Sequence, residues 1–356
     1  MVHAITLSGG GAYGAYEVGI LKALMGGHAP VTGGEPLDPM IFTGTSVGAY
    51  IAAVLLSSEA EDPKGRIDHL EHIWFDEICE SPERDGNGVY YIRGDVSRYL
   101  EPTWLARNPV APLQQALEDV GFFASDMLVR ATAFATSREP LERRTLELFD
   151  LTTLISTDPF QKLVQRTVVI DRIRRSAKSI RIAATNWTTG ELVMFDKTNI
   201  THQAVLASAA IPGIFPAIKI GGAAHVDGGV LMNTPLKPAI DDGADVIHTI
   251  ALDPNIANVP AMTLPNTLDT FERLMNISNS SRVEADVKLA DAVNHNLARN
   301  PDHRHIGIHI YRPRADMGGV FGMLNFSLAR MQKLIEQGFH DAVKHNCERN
   351  GCVGIG

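Results

Sequence analysis

The stretch Ile41-Phe42-Thr43-Gly44-Thr45-Ser46-Val47-Gly48-Ala49 decides how this chain folds. An apolar run enters it and a run of small, helix-forming residues leaves it. Its centre, Gly44-Thr45-Ser46-Val47-Gly48, satisfies G-x-S-x-G. In that motif a strand turns abruptly into a helix and lifts the serine hydroxyl clear of the backbone. The turn is strained, so its flanks must be small, and Gly44, Gly48 and Ala49 meet that requirement. A helix starting at Val47 aims its N-terminal dipole at the serine, where negative charge develops in acyl transfer. A chance match in a chain with 31 glycines is the competing reading, so the surroundings of the motif have to decide.

Upstream, Ala4-Ile5-Thr6-Leu7 reads as a short buried strand. It runs into Ser8-Gly9-Gly10-Gly11-Ala12-Tyr13-Gly14 and then a helix with Tyr16, Ile20 and Leu24 on one face, ended by Gly26-Gly27. Glycines in such a loop let backbone N–H groups point at a bound negative oxygen. Gly9-x-Gly11-x-x-Gly14 also satisfies the dinucleotide fingerprint G-x-G-x-x-G, with Glu35 and Asp38 as its acidic partner. The other functional reading is an oxyanion hole. The strand before each loop makes the two loops neighbours at the carboxyl ends of a parallel sheet, where α/β proteins bind ligands.

Downstream, a helix is expected over Pro63–Ser81. Residues 86–157 contain Pro102, Pro109, Pro112 and Pro140 and two helical stretches, Leu113–Val120 and Leu141–Phe149. They read as a lid or insert over the site, or as extra packing. Further strands are expected at Ser179–Thr185, Glu191–Phe195, Val246–Leu252 and Arg304–Tyr311. A hairpin of Ile218–Ile220 and Ala223–Val226 through Gly221-Gly222 delivers Asp227-Gly228-Gly229. Helices are expected after Thr201, after Thr234 with Pro235 in first position, from Thr267 to about Ala298, and from Ser327 to about Asn346. The pattern is α/β, a three-layer α/β/α arrangement around a mostly parallel sheet.

Ser46 needs a base. Among 13 histidines none stands in a compelling turn context; His305 and His309 sit on an alternating strand, and His225 lies two residues before Asp227. The alternative is a carboxylate acting directly on the serine, in a water-poor site that strengthens it as a base. Asp227, followed by two glycines that let the chain turn beside another loop, suits that role.

Taken together, Gly9-Gly10-Gly11 with Gly14, Gly44-Thr45-Ser46-Val47-Gly48 and Asp227-Gly228-Gly229 resemble the three signatures of the patatin-like phospholipases. Ala207-Ser208-Ala209-Ala210-Ile211-Pro212-Gly213-Ile214-Phe215-Pro216 is similar to that family's A-S-x-A-x-P-x-x-F-P stretch. Asn233-Thr234-Pro235 and Ala183-Ala184-Thr185-Asn186 also fit. The resemblance covers roughly Ala4 to Leu252. It implies a Ser46–Asp227 dyad and hydrolysis of lipid acyl esters without metal or cofactor. It also implies an oxyanion hole from Gly9, Gly10 and Gly11, chiefly Gly10 and Gly11, with Gly44 and Gly48 shaping the elbow and Gly228 and Gly229 supporting the aspartate. A nicotinamide cofactor is set aside on the same ground. One departure stands out: Ala12-Tyr13 occupies the place where the family often has Arg or Lys, which weakens the case for a phospholipid head group. A lipid-binding protein of this fold without turnover is the alternative, but binding alone needs neither Ser46 nor Asp227.

Composition sets bounds. The chain has 356 residues, 45% hydrophobic and 21% charged, which is ordinary globular material. Its net charge of −9 leaves no electrostatic footprint for nucleic acid. Cys79, Cys347 and Cys352 are too few for a disulfide framework, and their spacing offers no zinc site. No secretory signal or membrane-spanning run is visible, so the expectation is a cytoplasmic protein that touches membranes only peripherally. The catalytic domain is expected over 1–256, with an insert at about 86–157. A helical extension, 257–356, is expected to pack on the same domain, and the sequence leaves the oligomeric state open.

Overall fold

Ile5, Leu7, Phe42, Ile247, Ile250 and Ile308 are all buried, on runs too short to make helices. Runs that are apolar on both faces make strands covered by helices on both sides. The computed structural model describes residues 1–81, 86–93, 111–136, 154–254, 267–296, 304–314 and 317–355. Its strands are β1 (His3–Leu7), β2 (Ile41–Thr45), β3 (Tyr91–Ile92), β4 (Ile155–Ser156), β5 (Ser179–Asn186), β6 (Leu192–Asp196), β7 (Ile218–Ile220), β8 (Ala223–Asp227), β9 (Val246–Ile250) and β10 (Gly307–Tyr311). Eight of them form one sheet in the order β10-β9-β1-β2-β5-β8-β7, with β6 also on β5, and β3 pairs with β4 separately. From β10 through β5 the pairing is parallel, whereas β6, β7 and β8 run antiparallel. The sheet is mixed but mostly parallel, as expected.

The helices are α1 (Gly14–Met25), α2 (Val47–Ser57), α3 (Pro63–Ile73), α4 (Ala111–Thr136), α5 (Asp158–Thr167), α6 (Ile170–Arg175), α7 (His202–Ser208), α8 (Leu236–Asp241), α9 (Thr267–His295), α10 (Gly319–Met323), α11 (Leu328–Val343) and α12 (Cys347–Asn350). Strand alternation divides the apolar side chains between two cores. Ile5, Leu7, Phe42, Ile180 and Ile182 face α1, α2, α3 and α11. Ala4, Ile41, Ile247, Ile308 and Ile310 face α8 and α9. These are the three layers.

The sequence reads one buried face on α1, yet every residue of it except Lys22 is buried. The cause is α11. A Cβ on Gly19 would collide with the Ile335 carbonyl oxygen, and one on Gly338 with that of Tyr16. The two helix backbones therefore touch, although a mid-helix glycine costs about 1 kcal/mol against alanine. The region after 256 is more than helical: it adds edge strand β10 and seats α11 behind the glycine loop. Two other local readings change. The helix over Pro63–Ser81 ends its α-helical part at Ile73 and continues as a π turn, Trp74–Ile78. Thr234 does not cap α8, whose N-cap is Pro235; its hydroxyl is hydrogen-bonded to the Ser8 hydroxyl at 2.6 Å instead. The stretch Leu113–Val120 lies within the longer helix α4, and Leu141–Phe149 falls outside the described residues.

Candidate active site

Ser46 is the one non-glycine residue with positive φ among the described residues, at φ 56° and ψ −123°. A backbone held there is strained, and such strain clusters at functional sites. The surroundings enforce it. A Cβ on Gly44 would strike the Gly48 carbonyl, and one on Gly48 would lie 2.7 Å from Leu7 backbone. Strand, turn and helix pass too close for side chains. Ser46 is buried, and its N–H donates to the Ser208 hydroxyl at 2.9 Å.

Register explains how Asp227 arrives beside it. β6 covers Arg181–Thr185 along one edge of β5. The other edge is shared end to end: β2 pairs with Ser179–Ala183, and β8 takes over at Ala184–Asn186. Thr45 is opposite Ala183 and Asp227 is opposite Ala184, so the ends of the two strands meet. Gly228 must be glycine because a Cβ would enter the Ala183 carbonyl. The Asp227 N–H donates to the Ala210 carbonyl at 2.9 Å. One short segment, Ser208 to Ala210, thus holds the backbones of both Ser46 and Asp227.

The Asp227 carboxylate accepts from Gly229 N–H at 2.7 Å and lies beside the Ser46 hydroxyl, which acts on its ionisation. Burial pushes its pKa up to about 6, and Ser46 and Gly229 offset part of that rise. Among the described residues no histidine takes part. His225 Nδ1 meets the Ala223 carbonyl, and His309 lies on β10, three strands from β2.

The glycine loop lies over the serine. A Cβ on Gly9 would come within 2.9 Å of Ser46 Cβ. Gly11 has φ 55°, and a Cβ there would sit 2.5 Å from the Met323 carbonyl oxygen. The Gly9 N–H donates to the Asn233 carbonyl at 3.1 Å, whereas the Gly10 and Gly11 N–H groups make no hydrogen bond among the described residues. Asn233 anchors the loop a second time, its Nδ2 donating to the Gly9 carbonyl and to Asp253 Oδ2 at 2.9 Å. Asp253 is itself pushed up to about 6 by burial, offset by Asn233, Asn279 and Arg312.

An apolar pocket opens onto Ser46 and Gly11, walled by Trp74, Phe160, Ile211, Phe215, Met323 and Phe326. A larger cleft of about 510 Å³ at Ser58, Arg66, Arg172 and Lys178 touches none of these residues. The sequence model of the Patatin family, described as patatin-like phospholipase, matches residues 5–240. That span holds the glycine loop, the elbow and the Asp-Gly-Gly turn.

The chain belongs to the patatin-like phospholipase family.

Two solved structures are similar to this patatin-like chain. VipD from Legionella pneumophila is 14% identical with a TM-score of 0.40, the match covering 96% of this chain and 66% of that one. The type III effector protein ExoU is 17% identical with a TM-score of 0.33, covering 98% and 53%. The patatin-like chain thus spans under two thirds of the length of either.

Of the residues singled out in the sequence, Ser46, Asp227, Gly44, Gly48, Gly228, Gly229 and the three loop glycines come together. Gly9 needs a correction. Its N–H is occupied by the Asn233 carbonyl, so it cannot also donate to an oxyanion. Ala12-Tyr13 carries no cation in the loop itself; the Arg330 guanidinium stands 5.8 Å from the centre of the Tyr13 ring. Sequence reasoning assigned no role to Ser208, Asn233 or Asp253. The first two lie in stretches it quoted; Asp253 had no local signal, because only the fold sets it against Asn233.

Proposed function

We propose that the protein is a serine hydrolase of lipid carboxylic esters, with Ser46 as nucleophile and Asp227 as its base. The observation that carries this reading is the buried Asp227 carboxylate beside the buried Ser46 hydroxyl, under a glycine loop whose Gly10 and Gly11 amides have no partner among the described residues. Ser46 Oγ attacks the ester carbonyl carbon as its proton passes to Asp227. The oxyanion formed accepts from the Gly10 and Gly11 N–H groups. Collapse breaks the bond to the alcohol, which leaves with the proton from Asp227, and acyl-Ser46 remains. Water then attacks the acyl carbon, Asp227 takes its proton, and the fatty acid departs as Ser46 recovers one. A carboxyl raised to about 6 is ionised at neutral pH yet more basic than a free aspartate.

The apolar lining of the pocket suits the first carbons of an acyl chain; at about 40 Å³ it must widen to take a longer one. Ala12-Tyr13 in the loop weighs against a diacyl phospholipid and for neutral glycerides, lysolipids or simple acyl esters. The test is turnover of a short p-nitrophenyl acyl ester and of phosphatidylcholine micelles. Hydrolysis of the simple ester at least about tenfold faster is expected; equal or faster phospholipid turnover would make the loop composition irrelevant. Inactivity on both would remove the hydrolase reading.

Asp253 enters as a positioning residue. Asp253→Ala frees the Asn233 amide and loosens the loop, and a misplacement of about 1 Å costs up to about 100-fold. A fall in kcat of about 10- to 100-fold with little change in KM is expected, with Asp253→Asn recovering most of it. Unchanged kcat in Asp253→Ala would rule out the anchor.

Lipid contact falls to α4 in this reading. Leu117, Val120, Met127, Leu128 and Val129 on it are each 65% or more exposed. Burying each large apolar side chain contributes about 1.5–3 kcal/mol. Met127→Asp with Leu128→Asp is therefore expected to weaken sedimentation with neutral phosphatidylcholine vesicles at least tenfold (~1.4 kcal/mol) while turnover of the dissolved ester persists. Unaltered vesicle binding would move the contact elsewhere. No helix among the described residues is long and apolar enough to cross a membrane.

A further inference from the structure

Far from Ser46, at the β10 edge of the sheet, four donor side chains converge. His309 comes from β10, His345 follows α11, Cys347 opens α12 and Cys352 follows it. Their donor atoms all lie within 4.8 Å of one another. Cys347 Sγ is 3.5 Å from His309 Nδ1, and Cys352 Sγ is 3.3 Å from His345 Nε2. A tetrahedral Zn²⁺ with bonds of about 2.3 Å to sulfur and 2.05 Å to nitrogen holds its S and N ligands about 3.6 Å apart. The two separations are within 0.3 Å of that value, so an ion enters with small side-chain shifts.

We propose that His309, His345, Cys347 and Cys352 form a structural zinc site. Two thiols and two imidazoles in a tetrahedral set select Zn²⁺ over the oxygen-seeking Mg²⁺ and Ca²⁺. On binding, each cysteine gives up its S–H proton to solvent and forms a Zn–S bond, with no change in oxidation state. The remaining ring nitrogen of His345, Nδ1, faces the Asn350 side-chain amide at 3.0 Å. The same Asn350 Nδ2 donates to the Ile310 carbonyl at 3.0 Å; binding through Nε2 leaves the proton on Nδ1, so the Asn350 side chain must move away from Nδ1 or turn Oδ1 toward it and give up the Ile310 bond.

The sequence hides this site because the cysteines are five residues apart and one histidine comes from a strand more than thirty residues earlier. The ion would staple the last turns of the chain to β10. It would also fix the end of α11, the helix that packs against α1. Its role is in stability, and it is independent of the ester chemistry.

The test uses the reduced, chelator-stripped full chain titrated with Co²⁺ and then with Zn²⁺. One Co²⁺ per chain is expected, with the ligand-field absorption of a tetrahedral ion and a thiolate-to-cobalt charge-transfer band, both lost when Zn²⁺ displaces it. Cys347→Ser and His309→Ala, checked for folding by circular dichroism, are expected to weaken binding at least about 100-fold, beyond the loss typical of outer-shell partners. Three results would overturn the proposal: no uptake by the reduced wild type, a cobalt spectrum without thiolate bands, or unaltered binding in folded variants. Loss of both thiols to a Cys347–Cys352 disulfide in protein purified without oxidant would do the same.

Discussion

Ser46→Ala is expected to lower kcat for ester hydrolysis at least about 10⁴-fold, since removing the nucleophile of a serine protease costs about 10⁶ in kcat. The loss is chemical rather than structural. Alanine keeps the Cβ, the Ser46 N–H still meets Ser208, and the positive φ is unchanged. The assay is steady-state turnover beside a thermal melt. Retained turnover in a folded Ser46→Ala protein would exclude Ser46 as nucleophile. Ser46→Gly is equally inactive but differs in stability: at φ 56° glycine relieves strain of about 1–3 kcal/mol, less about 1 kcal/mol of added chain entropy. Its melting temperature is expected to equal or exceed that of Ser46→Ala.

Asp227→Asn is expected to do two opposite things. Turnover falls about 10³- to 10⁴-fold, because an amide cannot take the serine proton. Stability rises, with a definite dependence on pH. The Asp227 carboxyl ionises at about 6 in the folded chain, against the ordinary aspartate value of 3.8, chiefly through burial. A raised acid favours folding fully below its unfolded pKa, and that contribution is lost as pH climbs through the folded pKa. Above about pH 6 the folded enzyme carries a buried carboxylate, a cost of about 3 kcal/mol. Asparagine keeps an acceptor for Gly229 N–H and carries no charge. Asp227→Asn is therefore more stable than wild type by up to about 3 kcal/mol at pH 8, and the difference vanishes below about pH 4. Urea midpoints at pH 4 and pH 8 measure it. The wild-type kcat/KM in turn rises with pH to a plateau with an apparent pKa near 6. A pH-independent difference in stability would show that Asp227 is not the buried base.

Much of this site was legible because its chemistry needs small residues at fixed places. Gly44, Gly48, Gly11 and Gly228 each answer a backbone close approach or a positive φ, so the glycines mark the site in the sequence. The hairpin through Gly221 and Gly222 was equally legible, both residues having positive φ. What sequence could not give are pairings fixed only by the third dimension. The Gly9 amide looks free until Asn233, 224 residues away, comes to lie against it. Thr234 reads as a helix cap until Ser8 offers a partner. The full burial of α1 depends on α11, more than three hundred residues along the chain. Asp253 has no motif at all, and its place against Asn233 depends on where β9 ends.

The central claim is that Ser46 is acylated. Its most direct test is intact and peptide mass spectrometry of the wild-type chain quenched during turnover of a slow p-nitrophenyl acyl ester, with Asp227→Asn alongside. The account predicts one acyl group per chain, on the peptide carrying Ser46, formed far more slowly in Asp227→Asn. An acyl group on another residue, or turnover of the ester with Ser46 unmodified throughout, would contradict it.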